Sequence, residues 1–298
     1  MSTPTCQLDV AAPRRMYTIT DLAPAAFIVV WSTGYLVGKV SVAHGGPFTV
    51  LVLRFALAAV AFAVLAAIGR AVWPAPRVLM HSAVVGLLTI ALQFGGLYTA
   101  LKLGASAGIS ALVIGAMPIV VSILAALTGD RLSRRQWIGL ALGFAGVLSV
   151  VADRIDPNAL TPGAFVALIV GLVGISTGTL YQKRYATGVD MRVGLGVQHA
   201  VAAVVLVPFA AYEGFHHDGS LAFALSVGWL VVGSSLGGFA LLFGLLRRGA
   251  ATNVAALFYL VPPVTAAMSY LVLGETFTLI KLGGFALAAA GVFLATRK

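Results

Sequence analysis

Charge is scarce in this chain. Of 298 residues only 9% are Asp, Glu, Lys or Arg, and 60% are hydrophobic. A soluble domain carries about 25% charged residues, so this composition excludes an ordinary water-facing domain and belongs in lipid. Cysteine is scarcer still. A single Cys6 excludes an intramolecular disulfide and a cysteine-built metal cluster within one chain. Acid is missing where it would matter most. Asp9, Asp21, Asp130, Asp153, Asp156, Asp190, Glu213, Asp218 and Glu275 are the full set, and all fall in loops, in the N-terminal tail or at the ends of apolar runs. Proton-driven carriers usually titrate a carboxylate deep in the membrane, so strict proton coupling is disfavoured. His199 could titrate, but it stands alone. No phosphate-binding Walker loop, paired catalytic carboxylates, His-rich metal cluster or nucleophile elbow occurs, and neither cofactor nor metal is expected. The formal charge of +10 is dispersed between apolar runs and forms no nucleic-acid patch. Residues 1–20 hold Asp9, Pro13, Arg14 and Arg15 without a long apolar core. They read as a cytoplasmic tail, not a cleavable signal peptide.

Long apolar runs are what the chain has. About 20 apolar residues cross the hydrocarbon core as a helix, and such runs fall near 22–42, 48–69, 79–101, 106–128, 135–152, 162–184, 192–213, 221–246, 250–273 and 277–296. The expected fold is therefore an all-α membrane protein with ten transmembrane helices. With the N-terminus inside, the inside segments carry Arg14, Arg15, Arg70, Arg77, Arg131, Arg134, Arg135, Lys183, Arg184, Arg192, Arg247, Arg248, Arg297 and Lys298. The outside segments carry Lys39, Lys102, Arg154 and Lys281. This positive-inside bias predicts both termini in the cytoplasm.

The runs repeat. Leu101 to Val151, moved forward by 145 positions without gaps, lies on Leu246 to Thr296, with roughly a quarter of positions identical. Pro118 falls on Pro263, Gly104-Ala105 on Gly249-Ala250, and Ala145-Gly146-Val147 on Ala290-Gly291-Val292. Earlier, Ser32-Thr33-Gly34-x-Leu36-x-x-Lys39 returns as Ser176-Thr177-Gly178-x-Leu180-x-x-Lys183, at an offset of 144. Two units are expected, 21–153 and 154–298. Five helices is an odd number, so the second unit is inverted in the membrane. The arginines of Asp130 to Arg135, an inside loop, vanish in the outside copy Glu275 to Ile280, as inversion requires. The working centre belongs in a central cavity between the units.

Polar residues inside spans are few: Trp31, Tyr35, Lys39, Arg54, Gln93, Tyr98, Tyr181, Lys183, Gln198, His199, Asn253 and Tyr259. Two pairs match through the repeat, Lys39 with Lys183 and Arg54 with Gln198. Such groups need a partner or a wet cavity. The candidate substrate-binding set is Trp31, Tyr35, Gln93, Tyr98, Tyr181, Gln198, His199, Asn253 and Tyr259, with interhelical hydrogen bonding or interface anchoring as the plainer account of several. Lys39 and Lys183 either snorkel to the surface or draw a carboxylate to opposite mouths of a pathway. Pro118, Pro262 and Pro263 sit mid-span, as static kinks or as bending points. Small-residue pairs such as Gly34/Gly38, Gly139/Gly143 and Gly174/Gly178 are spaced for close helix packing.

The pattern resembles the drug/metabolite transporter superfamily in its EamA-like branch, and within it the YddG-type amino acid exporters of bacterial inner membranes. The likeness rests on ten spans in two halves, Trp31-Ser32-Thr33-Gly34, Gly95-Gly96-Leu97-Tyr98-x-Ala100-Leu101, and the Gly274-Glu275 turn. It implies two inverted five-helix units that rock around a cavity, in a bacterial inner membrane, with amino acids, other small metabolites or cationic drugs as cargo. Small multidrug carriers of that superfamily use a Glu in the first helix. Here that span offers Trp31, Ser32 and Tyr35 and no acid, which favours zwitterionic or neutral cargo.

The expected function is export of amino acids, aromatic ones included, or related small metabolites by alternating access, facilitative rather than proton-coupled. The partners are the small-molecule substrate and membrane lipid, with monomer and homodimer both open. A proton-coupled multidrug or quaternary-ammonium exporter is the alternative. A membrane enzyme on a lipid-linked substrate, using His216, His217 and Asp218, is a more distant one.

Overall fold

A computed structural model describes residues 22–127, 133–151, 160–247, 257–276 and 278–296. Helices α1 (Ala23–His44) and α2 (Pro47–Ile68) turn tightly at Gly45-Gly46. Next come α3 (Pro76–Lys102), then α4 (107–127), α5 (Arg134–Val151), α6 (Pro162–Tyr185) and α7 (Met191–Tyr212). α8 (221–247), α9 (Val261–Leu273) and α10 (Leu279–Thr296) complete the described helices. Among the described residues there is no β-strand, only an isolated bridge between Gly45 and His217.

The boundaries follow local chemistry. Pro47, Pro76 and Pro162 open their helices, where proline's missing N–H is no loss. Side chains of Ser106, Thr161, Asp190 and Ser220 accept from the first-turn amides of α4, α6, α7 and α8, which satisfies donors that otherwise lack a partner. Gly274 closes α9 with a φ of +65°, a conformation that favours glycine.

Seven described helices are long and apolar enough to cross a membrane: α1, α2, α3, α4, α6, α7 and α8. Against the ten expected, α5 opens on Arg134, Arg135 and Gln136, and α9 and α10 are shorter apolar helices. Residues 248–256, where the sequence places the start of the ninth span, lie outside the described residues, as does the tail 1–20. Large apolar side chains such as Val60, Val204, Leu225 and Leu271 face outward, as lipid requires.

Packing is dominated by α5 against α10 and α2 against α7, with α3 on α6 and α4 on α9. The α5–α10 seam depends on glycine. A methyl on Gly146 would strike the backbone of Gly284 and Ala288, and one on Gly291 the backbone of Gly139 and Gly143. With no hydrophobic drive between helices inside lipid, such close approach supplies the attraction.

Two helices contain π-helical segments: Gly86–Leu92 in α3 and Leu230–Gly237 in α8. They are 144 residues apart, the offset of the Ser-Thr-Gly repeat. α4 breaks at Ala116, and Pro118 sits in the first turn of the segment that restarts at Met117. Pro262 and Pro263 likewise sit in the first turn of α9. All three prolines follow a break in the helix, at Ala116 or at 259–260. Each starts a new helical segment, where it costs no hydrogen bond.

One end of the bundle carries the α1–α2, α3–α4, α7–α8 and α9–α10 connections, and we call it the Lys39 end. The other carries the α2–α3 and α6–α7 connections and is the Asp190 end.

Candidate functional site

A cavity of about 530 Å³ lies among α1, α2, α3, α4, α6, α7, α8 and α9 and reaches the α6–α7 connection at Ala186, Gly188 and Val189. Its volume suits a small organic ligand. The walls are largely apolar. Trp31 meets Phe239 and Phe258 edge-on, with ring centroids 5.7 Å and 5.2 Å away. Phe94, Phe243 and Tyr259 add further rings.

Five expected binding residues line this cavity: Trp31, Tyr35, Gln93, Gln198 and Tyr259. Gln93 follows the π segment of α3 directly. Gln198 is brought close to that segment because Gly86, having no side chain, lets the α7 backbone approach; a Cβ there would lie 2.6 Å from the Gln198 Cα. Pro118 and Pro262 also line the cavity, while Pro263 faces a small neighbouring cleft.

Other candidates lie elsewhere. Tyr98 is fully buried behind the wall, and its hydroxyl accepts from Arg54 Nη1 at 3.0 Å. His199 is buried among Phe55, Phe62 and Phe239. Its Nδ1 donates to the Leu195 carbonyl at 2.8 Å, a bond within its own helix. Tyr181 bonds His81 Nδ1 at 2.8 Å and packs on Tyr185 towards the Asp190 end. Asn253 lies outside the described residues.

The residue missing from the candidate set is Arg54. It lines the cavity yet is only 4% exposed. Its Nε donates to Ser235 Oγ at 3.2 Å, and its guanidinium carbon stands 4.6 Å from the Phe94 ring centre. No carboxylate pairs with it among the described residues. Its presence in a span and its match with Gln198 were the available signals. Phe94, Phe239, Phe243 and Phe258 gave none, since phenylalanine fills any membrane span.

Lys39 sits at the opposite end from the cavity mouth. Its Nζ lies 3.5 Å from Glu275 Oε1 and donates to the Ala105 carbonyl at 2.6 Å. Glu275 Oε1 also accepts from the Ala107 amide at 2.9 Å, capping α4. An open recess of about 690 Å³ surrounds this pair, with Lys102 and Lys281 also in its lining. Lys183 is exposed in the last turn of α6, clear of the cavity.

Two further carboxylates tie the Lys39 end. Glu213 Oε2 accepts from the Phe48 and Thr49 amides at 3.1 and 3.2 Å, capping α2. Asp218 Oδ2 accepts from His44 Nδ1 at 2.7 Å. The Asp218 carboxyl is held well below the usual carboxylate range, by bonds from Ser220 first and by His44 after them. His217 stacks on Phe223. The His216-His217-Asp218 segment therefore clamps loops together, and no three-residue metal-binding group occurs among the described residues. At the other end Asp190 caps α7, and bonds from Arg192 hold its carboxyl below its ordinary value.

Comparison with known proteins returns a consistent picture. The model of the EamA-like transporter family matches residues 19–152 and again 161–297. A probable amino-acid metabolite efflux pump of Salmonella typhimurium is 28% identical, over 90% of this chain and 91% of its own. The inner membrane transporter YedA of Escherichia coli K12 is 24% identical, over 91% and 88%. A crystal structure with 23% identity superposes with a TM-score of 0.64, covering 92% of this chain and 95% of its own, which supports the fold.

Proposed function

The chain belongs to the EamA-like transporter family and is a multi-pass membrane transporter, and from that premise we propose that it exports amino acids or related small metabolites by alternating access. The observation that carries this is the cavity. Aromatic walls suit an apolar side chain, and Gln93, Gln198 and Arg54 offer hydrogen bonds to a polar end. The likeness to the Salmonella protein, a probable amino-acid metabolite efflux pump, favours the same cargo.

In this proposal all ten helices cross the membrane as two inverted units, 21–153 and 154–298. Three observations support it. The family model matches once in each half. The strongest packing joins counterparts, α2 to α7 and α5 to α10. Both π segments fall at the repeat offset. The distribution of basic residues puts the Lys39 end outside a bacterial inner membrane and both termini inside. The cavity, reaching the α6–α7 connection, then opens to the cytoplasm, the side from which an exporter loads.

Transport is facilitative in this proposal, because no Asp or Glu lines the cavity among the described residues. The test is purified protein in liposomes, with labelled amino acids and a labelled quaternary ammonium compound, with and without a pH gradient. Saturable amino acid flux indifferent to the gradient is expected. Drug flux that follows the gradient, without amino acid flux, overturns both cargo and coupling.

A further inference from the structure

We propose that Arg54 is the fixed anchor for a carboxylate on the cargo, and that the cargo's amino group is dispensable for binding. This rests on the cavity being the cargo site.

The guanidinium has five N–H donors. Two are used within the protein, by Ser235 and Tyr98. Those bonds, with Phe94 and Phe55 at 4.6 and 5.5 Å from the guanidinium carbon, hold the group in place. A buried cation without a counter-ion is unfavourable, and cation–π contact offsets only part of the lost hydration. The described lining contains no Asp or Glu. The missing partner is therefore an anion that arrives and leaves.

A second observation points to the same place. Ser234 lines the cavity beside Ser235, and its hydroxyl is buried without a hydrogen-bond partner. It is free to donate to cargo held in the same cavity. Both serines belong to the π segment of α8, an irregularity often found at functional sites.

The cavity's charge is asymmetric. Gln198, the counterpart of Arg54 in the repeat, is neutral and also lines the wall. One cation and no acid make a site completed by one negative charge. An ammonium would meet neutral polar groups such as Gln93 and Gln198 and ring faces but no carboxylate of the described lining, with Arg54 repelling it. A monocarboxylate on an apolar or aromatic body therefore suits the site with or without an amine, and a cationic amphiphile does not.

The test is equilibrium binding to the purified full-length protein of three related compounds. They are L-phenylalanine, 3-phenylpropionate, which lacks the amine, and phenethylamine, which lacks the carboxylate. The two acids are expected to bind within a fewfold of each other and the amine at least about tenfold more weakly, the scale of a charge-assisted bond. Arg54→Gln should weaken both acids by about tenfold or more, and Arg54→Lys should recover part of the loss. Phenethylamine binding as well as the acids overturns the anchor on the unmodified protein, so the outcome does not depend on a variant folding. Amino acid flux in liposomes that is unchanged in Arg54→Gln also overturns it and leaves the exporter standing. Absence of amino acid flux in the unmodified protein is instead the failure of the transport function itself.

Discussion

At the Lys39 end, side chains late in the chain reach helices early in it. Glu213 caps α2, Glu275 caps α4 and pairs with Lys39, and Asp218 holds His44. At the Asp190 end the described polar contacts are mostly local. Asp190 bonds Arg192 two residues away, and bonds from His81 to Tyr181 and from Thr179 to Met117 join early and late helices towards that end. The cavity's lining reaches the Asp190 end and shares no residue with the recess at the Lys39 end. On the proposed alternating-access cycle, the difference locates its control at the Lys39 end. Opening the Lys39 end means breaking a few specific polar bonds, whereas the described residues of the Asp190 end offer few to break.

Substitutions can break that contrast. The largest effect is expected from Glu275→Ala, which removes an ion pair and a helix cap together. Lys39 and Glu275 are 28% and 13% exposed, so screening tempers the pair, and about 1–2 kcal/mol is expected for both losses. The population open at the Lys39 end should rise several-fold. A Cys placed at Ser234, in a Cys6→Ser background, should then react faster with an impermeant thiol reagent applied from that side. An unchanged rate would remove the latch from the mechanism.

Glu213→Gln is expected to act in the same direction and more weakly, by about 1 kcal/mol, since an amide oxygen still accepts at the α2 cap. Its measure is the same labelling rate, and a larger effect than that of Glu275→Ala would reverse their order.

The Asp218 clamp should show itself through pH. Its carboxyl titrates lower when folded than when unfolded, so its contribution is present above the unfolded value near pH 4 and is lost as pH falls through the folded value. Between about pH 4 and 7 it should stay intact on this account, and Asp218→Asn should flatten only the acid side of the stability profile, read by thermal unfolding. The smallest effect is expected from Asp190→Asn. It weakens the α7 cap but should leave labelling at the Lys39 end unchanged. A change there would mean that the two ends are coupled through α7.

Much of the fold was legible because lipid imposes it. Apolar runs of lipid-crossing length are local signals. The site was legible in depth but not in direction. Gln198 and His199 are neighbours in α7, yet Gln198 faces the cavity while His199 packs among phenylalanines. In helices that are apolar on every side no stripe marks the inward face. Tyr98 and Arg54 show the same blindness, one behind the wall and the other on it, joined by a bond across 44 positions. The π segments left no trace either. Leu230–Gly237 has the composition of any membrane helix, and only the wider hydrogen-bond ring sets it apart.

Those π segments also carry a date. A π turn accommodates one extra residue within an otherwise regular helix. Independent insertions would have no reason to land at matching places, yet Gly86–Leu92 and Leu230–Gly237 share the offset that relates Ser32–Lys39 to Ser176–Lys183. If the two proposed units arose by doubling, the economical history is one insertion in an ancestral half, copied with it. On that history the ancestor paired with a second copy of itself, each copy contributing one irregular helix to a symmetric pore. Arg54 and Gln198, both in the cavity wall, would on that history record a later event, in which two equivalent positions drifted apart and the cavity acquired a preferred charge.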